Sequence, residues 1–291
     1  MNEIDLAYKH CESVTKKHAK NFYYAFRTLP HRKRRAIYAI YAFCRICDDI
    51  ADGDIPLVDQ KSQFSQMRKQ LHESIEYPSN KLIFTALKDV VTIFNIPINY
   101  LEEIIQGVEM DLVNTRYETF EELLTYCYKV ASVVGLICFE IFGYKNSVAK
   151  KYAIDLGIAM QLTNILRDIK EDYERGRIYI PQQEMLRFKY SDNDLGNGII
   201  NNSFRNLMRY QITRANCYFT SGIQLIPLMN TESRRCPSIL HGVYRKILAK
   251  IERSDFNVFE KRIGLNTWEK LLLTTQIWTM NLILHAYLPK Q

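Results

Sequence analysis

The chain has 291 residues, 47% of them hydrophobic and 24% charged, with only 11 Gly and 8 Pro. That content is enough for a sizeable core and excludes dominant disorder, and no repeat of about 20 to 50 residues suggests a solenoid. The balance of 39 basic against 32 acidic side chains, +7 overall, suits phosphate esters, an acidic membrane surface or nucleic acid without choosing among them.

Met1 to Lys20 is polar and charged, unlike a signal peptide, and a first helix is predicted over 3–26. The next, 31–52, opens on His31-Arg32-Lys33-Arg34-Arg35 and runs into Ala36 to Phe43, apolar all round as in a fully buried helix. Helices over 60–76 and 80–95 follow, and Pro97 is placed to open 97–112. Thr119 with Glu122 has capping-box spacing for 119–142, where the uncharged run Val130 to Phe139 is too short to span a bilayer. Beyond it come 146–175, a turn-rich loop from Tyr190 to Asn202, then 200–228, 233–256 and 267–287. Strand signals are sparse and no composition shift marks a boundary, so one all-α domain over 1–291 is expected. Seven Cys, an odd number at irregular spacing and most of them in apolar surroundings, read as reduced, buried thiols of a cytosolic protein.

The sharpest pattern is Arg45-Ile46-Cys47-Asp48-Asp49-Ile50-Ala51-Asp52. On a helix Asp48 and Asp52 share a face, with Arg45 one turn earlier on the same side. The geometry recurs where Asn164, Asp168 and Asp172 stack at successive turns, with Gln161 one turn before and Arg167 alongside. A lone acidic pair is commonly a solvated helix end. Two such faces ending apolar helices call for a compensating cation, and Mg²⁺, held by one or two carboxylates plus substrate phosphates, fits. A di-iron site would want Glu-x-x-His pairs, and there are none. Cys44-x-x-Cys47 lacks a second ligand pair or a βαβ context and reads as core packing. His31 to Arg35 has no interleaved aromatics, so nucleic acid is not expected as a partner.

Cys44 to Asp52 and Gln161 to Asp172, the latter continuing into Gly176-Arg177-Ile178-Tyr179-Ile180-Pro181, resemble the two signatures of the squalene/phytoene synthase family. Lys17 to Phe22, Tyr126 to Ala131 with Gly135, and Val243-Tyr244 agree, so the likeness runs from about residue 5 to 285. It implies an isoprenoid (terpenoid) synthase helical fold around a central cavity, and a prenyltransferase joining two prenyl diphosphates head to head. By the same resemblance Asp48, Asp52, Asn164, Asp168 and Asp172 hold Mg²⁺, with Gln161 as a further polar contact. Arg45 and Arg167 clamp diphosphate oxygens, and His18 and Lys20 reach the second diphosphate. Phe22, Phe26 and Tyr41 contact substrate, and Tyr41, Tyr128 and Tyr244 line the cavity, where aromatic faces stabilise a cation.

The implied chemistry has two ionisations, the first giving an allylic cation that the second substrate traps as a cyclopropylcarbinyl (presqualene-type) diphosphate. The second ends in proton loss, to dehydrosqualene or phytoene, or in hydride transfer from NADPH, to squalene. Phe26 and Tyr38, as bulky aromatics on the first two helices, point to two farnesyl diphosphates and a C30 product of carotenoid or hopanoid biosynthesis. The alternative is a phytoene synthase joining two geranylgeranyl diphosphates. Other enzymes open on the residues alone are a terpene cyclase or prenyl diphosphatase, and the non-enzyme alternative is a helical lipid-binding scaffold. A monomer or weak homodimer is expected in the cytoplasm, with peripheral contact to the inner face of the membrane.

Overall fold

The computed structural model describes residues 2–19, 22–53, 55–77, 79, 81–266, 268, 269 and 272. Helix α1 (Glu3–His18) starts where Asn2 Oδ1 accepts the Asp5 amide at 2.9 Å. Its acidic first turn and basic last turn complement the helix dipole. The helix ends at Ala19, and a separate turn, α2 (Phe22–Phe26), follows, so the single helix predicted over 3–26 is two.

Helix α3 (His31–Ala51) begins behind Pro30. The basic side chains at its start are spent on tertiary contacts. Lys33 donates to the Phe142 carbonyl at 2.7 Å and pairs with Glu232 at 2.6 Å. Arg35 pairs with Asp5 and lies 4.0 Å over the Tyr8 ring, while Arg32 covers Phe94. Those contacts fasten α3 to its neighbouring helices.

Helices α4 (Leu57–Glu76), α5 (Leu82–Phe94) and α6 (Ile98–Met110) each pack against α3, α6 opening at Pro97 as expected. The predicted helix 119–142 is one rod with a defect: α7 (Phe120–Cys127), a π-helical turn over 128–132, and α8 (Val133–Phe142). Thr119 Oγ1 accepts the Glu122 amide at 3.2 Å, as the capping spacing suggests. By length and composition Phe120–Phe142 is apolar enough to cross a membrane, so the shorter run picked out in the sequence understated it. Here it packs between α6 and the long helix α9 (Ala149–Arg167).

Helix α9 is the central pillar, touching the π-turn, α8, α13 (Asn202–Gly222) and α15 (Arg235–Arg253). Gly157 makes the closest of these approaches: a Cβ there would lie 2.7 Å from Ser132 Cα and 2.8 Å from the Ala131 carbonyl. Gly157→Ala is therefore expected to cost about 1–3 kcal/mol and lower the melting temperature. An unchanged thermal transition would mean the π-turn yields freely.

The predicted helix 146–175 stops at Asp168, and α10 (Ile169–Glu174) continues it. Two short helices, α11 (Gln182–Arg187) and α12 (Asp192–Gly196), occupy a stretch expected to be loop. The second carries a full capping box between Ser191 and Asp194, which the string of polar residues concealed. The predicted 200–228 splits into α13 and the four-residue α14 (Leu225–Leu228). Most of the helix predicted over 267–287 lies outside the described residues. These contain no β-strand, only the isolated bridges Arg116–Ile178 and Tyr144–Met229. All seven Cys are free; Cys11, Cys47, Cys127 and Cys236 are buried and Cys47 packs against Met67, whereas Cys44 and Cys138 are half-buried and Cys217 is exposed, so the expectation of buried thiols holds for part of them.

Candidate active site

Helices α2, α3, α8, α9 and α15 and the π-turn enclose an apolar cavity of about 480 Å³ whose mouth is lined with carboxylates and guanidiniums. One wall is α3, which presents Ile37, Ile40, Tyr41, Cys44, Asp48 and Asp52 at helical spacing. The facing wall is α9, with Met160, Gln161, Asn164, Arg167 and Asp168, continued by Asp172. Although α9 is interrupted at Asp168, the Asp168 amide bonds to the Asn164 carbonyl and the Asp172 amide to that of Asp168, both at 2.9 Å. The ladder stays in register through the break, so the three side chains keep the predicted alignment.

The two walls are tied together at the mouth. Arg175 and Arg177, just past α10, reach Asp52 on α3 at 3.0 and 3.3 Å. Asp168 accepts from Arg167 Nε at 2.8 Å and from Arg262 Nε at 2.7 Å. Beside them, Asp111 at the end of α6 accepts from Tyr179 Oη at 2.7 Å and Tyr126 Oη at 3.0 Å. Asp111, Tyr126, Tyr179, Arg175, Arg177 and Arg262 were not singled out as site residues in the sequence. Tyr126, Arg177 and Tyr179 lie inside segments that carried the family resemblance, and that was their only signal.

Several expected site residues take other positions. Lys20 lies outside the described residues. His18 ends α1 exposed and is not among the cavity residues. Arg45 stands beside the cavity and pairs with Asp49, not in the lining with Asp48. Tyr128 points away: it is two residues from Tyr126, about 200° around the helix, and its neighbours are Tyr100, Glu103 and Lys150. Tyr126 is the tyrosine that faces the cavity, together with Val130 and Val134 one and two turns on. Tyr38 is not in the lining either. It is buried behind Phe26, ring centroids 6.4 Å apart, and stacked on Tyr23. Phe22, Phe26, Tyr41, Asp48, Asp52, Gln161, Asn164, Arg167, Asp168, Asp172 and Tyr244 do line the one cavity.

The electrostatics divide the carboxylates into two kinds. Protein atoms crowding its carboxyl push Asp48 up to about 7, only partly offset by Arg45, although the residue stays open to solvent at the cavity mouth. Asp172 is likewise raised to about 7 by burial, reinforced by repulsion from Asp168 and Asp111. Burial also acts on Asp168, but hydrogen bonds from Arg167 and Arg262 outweigh it and hold that carboxyl below the usual range. A raised folded-state pKa contributes stability at low pH that is lost as pH rises through it. The metal-free protein should therefore lose stability from about pH 4 to about pH 7 through Asp48 and Asp172. Calorimetry across that range checks this, and a divalent cation should reverse the loss. A flat profile would show that both groups are solvated.

The donor set suits a hard cation. It consists of oxygens, and Asn164 Oδ1 is buried with no hydrogen-bond partner among the described residues. No three Cys, His, Asp or Glu side chains among those residues form an ion cage by themselves. Mg²⁺ commonly accepts such an arrangement, taking one or two carboxylates and completing its shell with phosphate oxygens and water.

Comparison with known proteins agrees with this geometry. The squalene/phytoene synthase family model matches residues 15–269. The 15-cis-phytoene synthase of Synechococcus elongatus is 36% identical over 277 residues, covering 91% of this chain and 90% of the relative. The phytoene synthase of Mycobacterium tuberculosis is 37% identical over 277 residues, covering 93% and 90%. A crystal structure of a dehydrosqualene synthase in complex with ligand superposes with a TM-score of 0.89 at 30% identity, covering 98% of this chain and 99% of that one. A squalene synthase of Alicyclobacillus acidocaldarius gives 0.82 at 25% identity, covering 88% and 96%. The helical architecture is thus that of an isoprenoid synthase fold, and the chain belongs to the squalene/phytoene synthase family of head-to-head prenyltransferases.

Proposed function

We propose that the chain joins two farnesyl diphosphates into a C30 product through a cyclopropylcarbinyl diphosphate, with Mg²⁺ as the metal. The carrying observation is that both acidic walls and four arginines meet at one mouth of an apolar cavity. Bound Mg²⁺ would supply Lewis-acid neutralisation of the leaving diphosphate. Among the described residues no guanidinium bonds to the Asp48 or Asp172 carboxylate, and these two are the first candidates to hold it, with Asp52, Asn164 and Asp168 beside them. Arg167, Arg175, Arg177 and Arg262 can exchange their carboxylate partners for diphosphate oxygens, a task suited to a permanently charged fork. Tyr41 and Tyr244 place aromatic faces in a cavity that excludes water from a cation. Tyr126, with Tyr179 and Asp111, sets a hydroxyl pair where the mouth meets the apolar interior.

Chain length rests on the aromatic floor. Phe22 stacks on Phe26 at 5.9 Å, and Tyr38 and Tyr23 back Phe26, so the ring has little room to swing aside. Such a floor suits C15 tails. The second reading, two geranylgeranyl diphosphates to phytoene, is favoured by the phytoene synthase relatives at 36–37% identity. Mass spectrometry of products from each diphosphate, with Mg²⁺ and with or without NADPH, separates them. A C30 product is expected from farnesyl diphosphate, as squalene only in the NADPH lane, and Phe26→Ala should admit the C20 substrate. A C40 product alone would establish the second reading, and only monomeric alcohols or cyclic products would remove the coupling. The proposed setting is the cytoplasm.

A further inference from the structure

The end of the cavity opposite the mouth is closed by a thin wall. Lys33, near the start of α3, bonds to the Phe142 carbonyl and to Ser233, placing both at the far end from Asp48. Fifteen residues of helix separate Lys33 from Asp48, roughly 22 Å along α3. There Leu225 and Met229 line the cavity from within, whereas Pro227 between them is exposed. The segment that carries them, α14, has only single-turn bonds such as Ile226 N–H to Ile223 O at 3.1 Å, and Pro227 has no amide to add.

Outside this wall lies a mixed apolar and basic face. Tyr144, Val148 and Ile223 are 40%, 59% and 41% exposed. They adjoin one another, since Lys145 N bonds to the Leu228 carbonyl at 2.8 Å and Ser221 bonds to Asp155 of α9. Lys145 and Lys151 are exposed there, and Arg234 donates to the carbonyls of Pro227 and Met229 at 2.7 and 3.0 Å, fixing a positive charge on α14. Of the acids nearby, Glu232 pairs with Lys33, Glu140 lies between Tyr144 and the cation of Lys150, and Asp155 accepts from Ser221. Apolar side chains ringed by cations match an anionic bilayer, whose surface attracts each Lys or Arg while its acyl region accepts the apolar groups.

We propose that this face, from Tyr144 to Val148 with Ile223 and α14, docks on an anionic lipid bilayer and sets the closed end of the cavity against lipid. The proposal rests on the function above for its purpose: a hydrocarbon stripped of both diphosphates has no favourable path through water and would leave across α14. Docking itself does not depend on turnover. Flotation of the full chain with phosphatidylcholine vesicles, with and without phosphatidylglycerol, tests it. Binding is expected to be at least about tenfold stronger with the anionic lipid. Both Val148→Asp/Ile223→Asp and Lys145→Glu/Lys151→Glu should lower it by a similar factor, while diphosphate release in detergent is unchanged. The charge-reversal pair changes only exposed side chains and guards against misfolding of the other. Equal binding to both vesicle types, or full binding by the charge-reversal pair, overturns the proposal. Intact vesicle binding with a shift from dimer to monomer on light scattering would instead make this face a contact between copies of the chain. Absence of any coupled product would defeat the function and leave the vesicle result to stand by itself.

Discussion

Asp48→Asn and Asp172→Asn are each expected to lower kcat by about three orders of magnitude without unfolding the protein. Asn keeps the shape and one oxygen but removes the charge a divalent cation needs. The fold should not suffer, because desolvation already disfavours both ionised carboxylates and pushes them up to about 7, while Asp48 is solvent-exposed and Asp172 half-buried at the mouth. Above that pH the metal-free variants should melt at or above the temperature of the parent, and the cation should stabilise them less. Asp49→Asn is the control: Asp49, exposed like Asp48, pairs with Arg45 and lies outside the cavity lining. Turnover that survives either main substitution would take that carboxylate out of the site, and a large drop in melting temperature would mean it supports the fold.

Tyr126→Phe is expected to cost about a hundredfold in kcat, whereas Tyr128→Phe should leave kcat and KM as they are. The Tyr126 hydroxyl donates to Asp111 at 3.0 Å and sits 3.3 Å from that of Tyr179. Removing it deletes one of two donors on a buried carboxylate and changes the polar boundary of the cavity. Tyr128 faces α6 and Lys150. Thermal melts should be recorded for both, since a broken network also lowers stability. The informative quantity is kcat relative to the change in melting temperature, and a larger loss at Tyr128 would overturn the placement of both rings.

The contrast between these tyrosines marks where sequence reasoning stops. Periodicity says which residues share a helix face but not which of two flanking positions turns inward. In the rod 120–142 the polar residues Glu121, Thr125 and Lys129 share one face and Tyr126 and Tyr128 lie to either side of it, so spacing does not distinguish the two rings. The same limit applies to Arg45, which spacing puts on the side of Asp48. On a real helix it is offset enough to pair with Asp49 on the flank. Asp111 carried no chemical signal, because its partners Tyr126 and Tyr179 are 15 and 68 positions away. Arg262 bonds Asp168 across 94 positions, and Arg175 reaches Asp52 across 123. Such pairs exist only after the helices have packed.

Local chemistry, by contrast, was readable. Helical spacing of apolar residues, rare strand signals and proline punctuation determined an all-α chain, since these act within a turn or two of backbone. The two acidic faces were equally plain, because i to i+4 alignment follows from helix geometry even through the break at Asp168. Tertiary structure alone decided that both faces meet at one mouth, that guanidiniums remote in sequence neutralise Asp52 and Asp168, and that Tyr38 backs the cavity wall while Phe26 lines it. The physical reason is common to all three: charge compensation and cavity shape are properties of surfaces brought together by burial. No residue carries them until its distant partners have arrived.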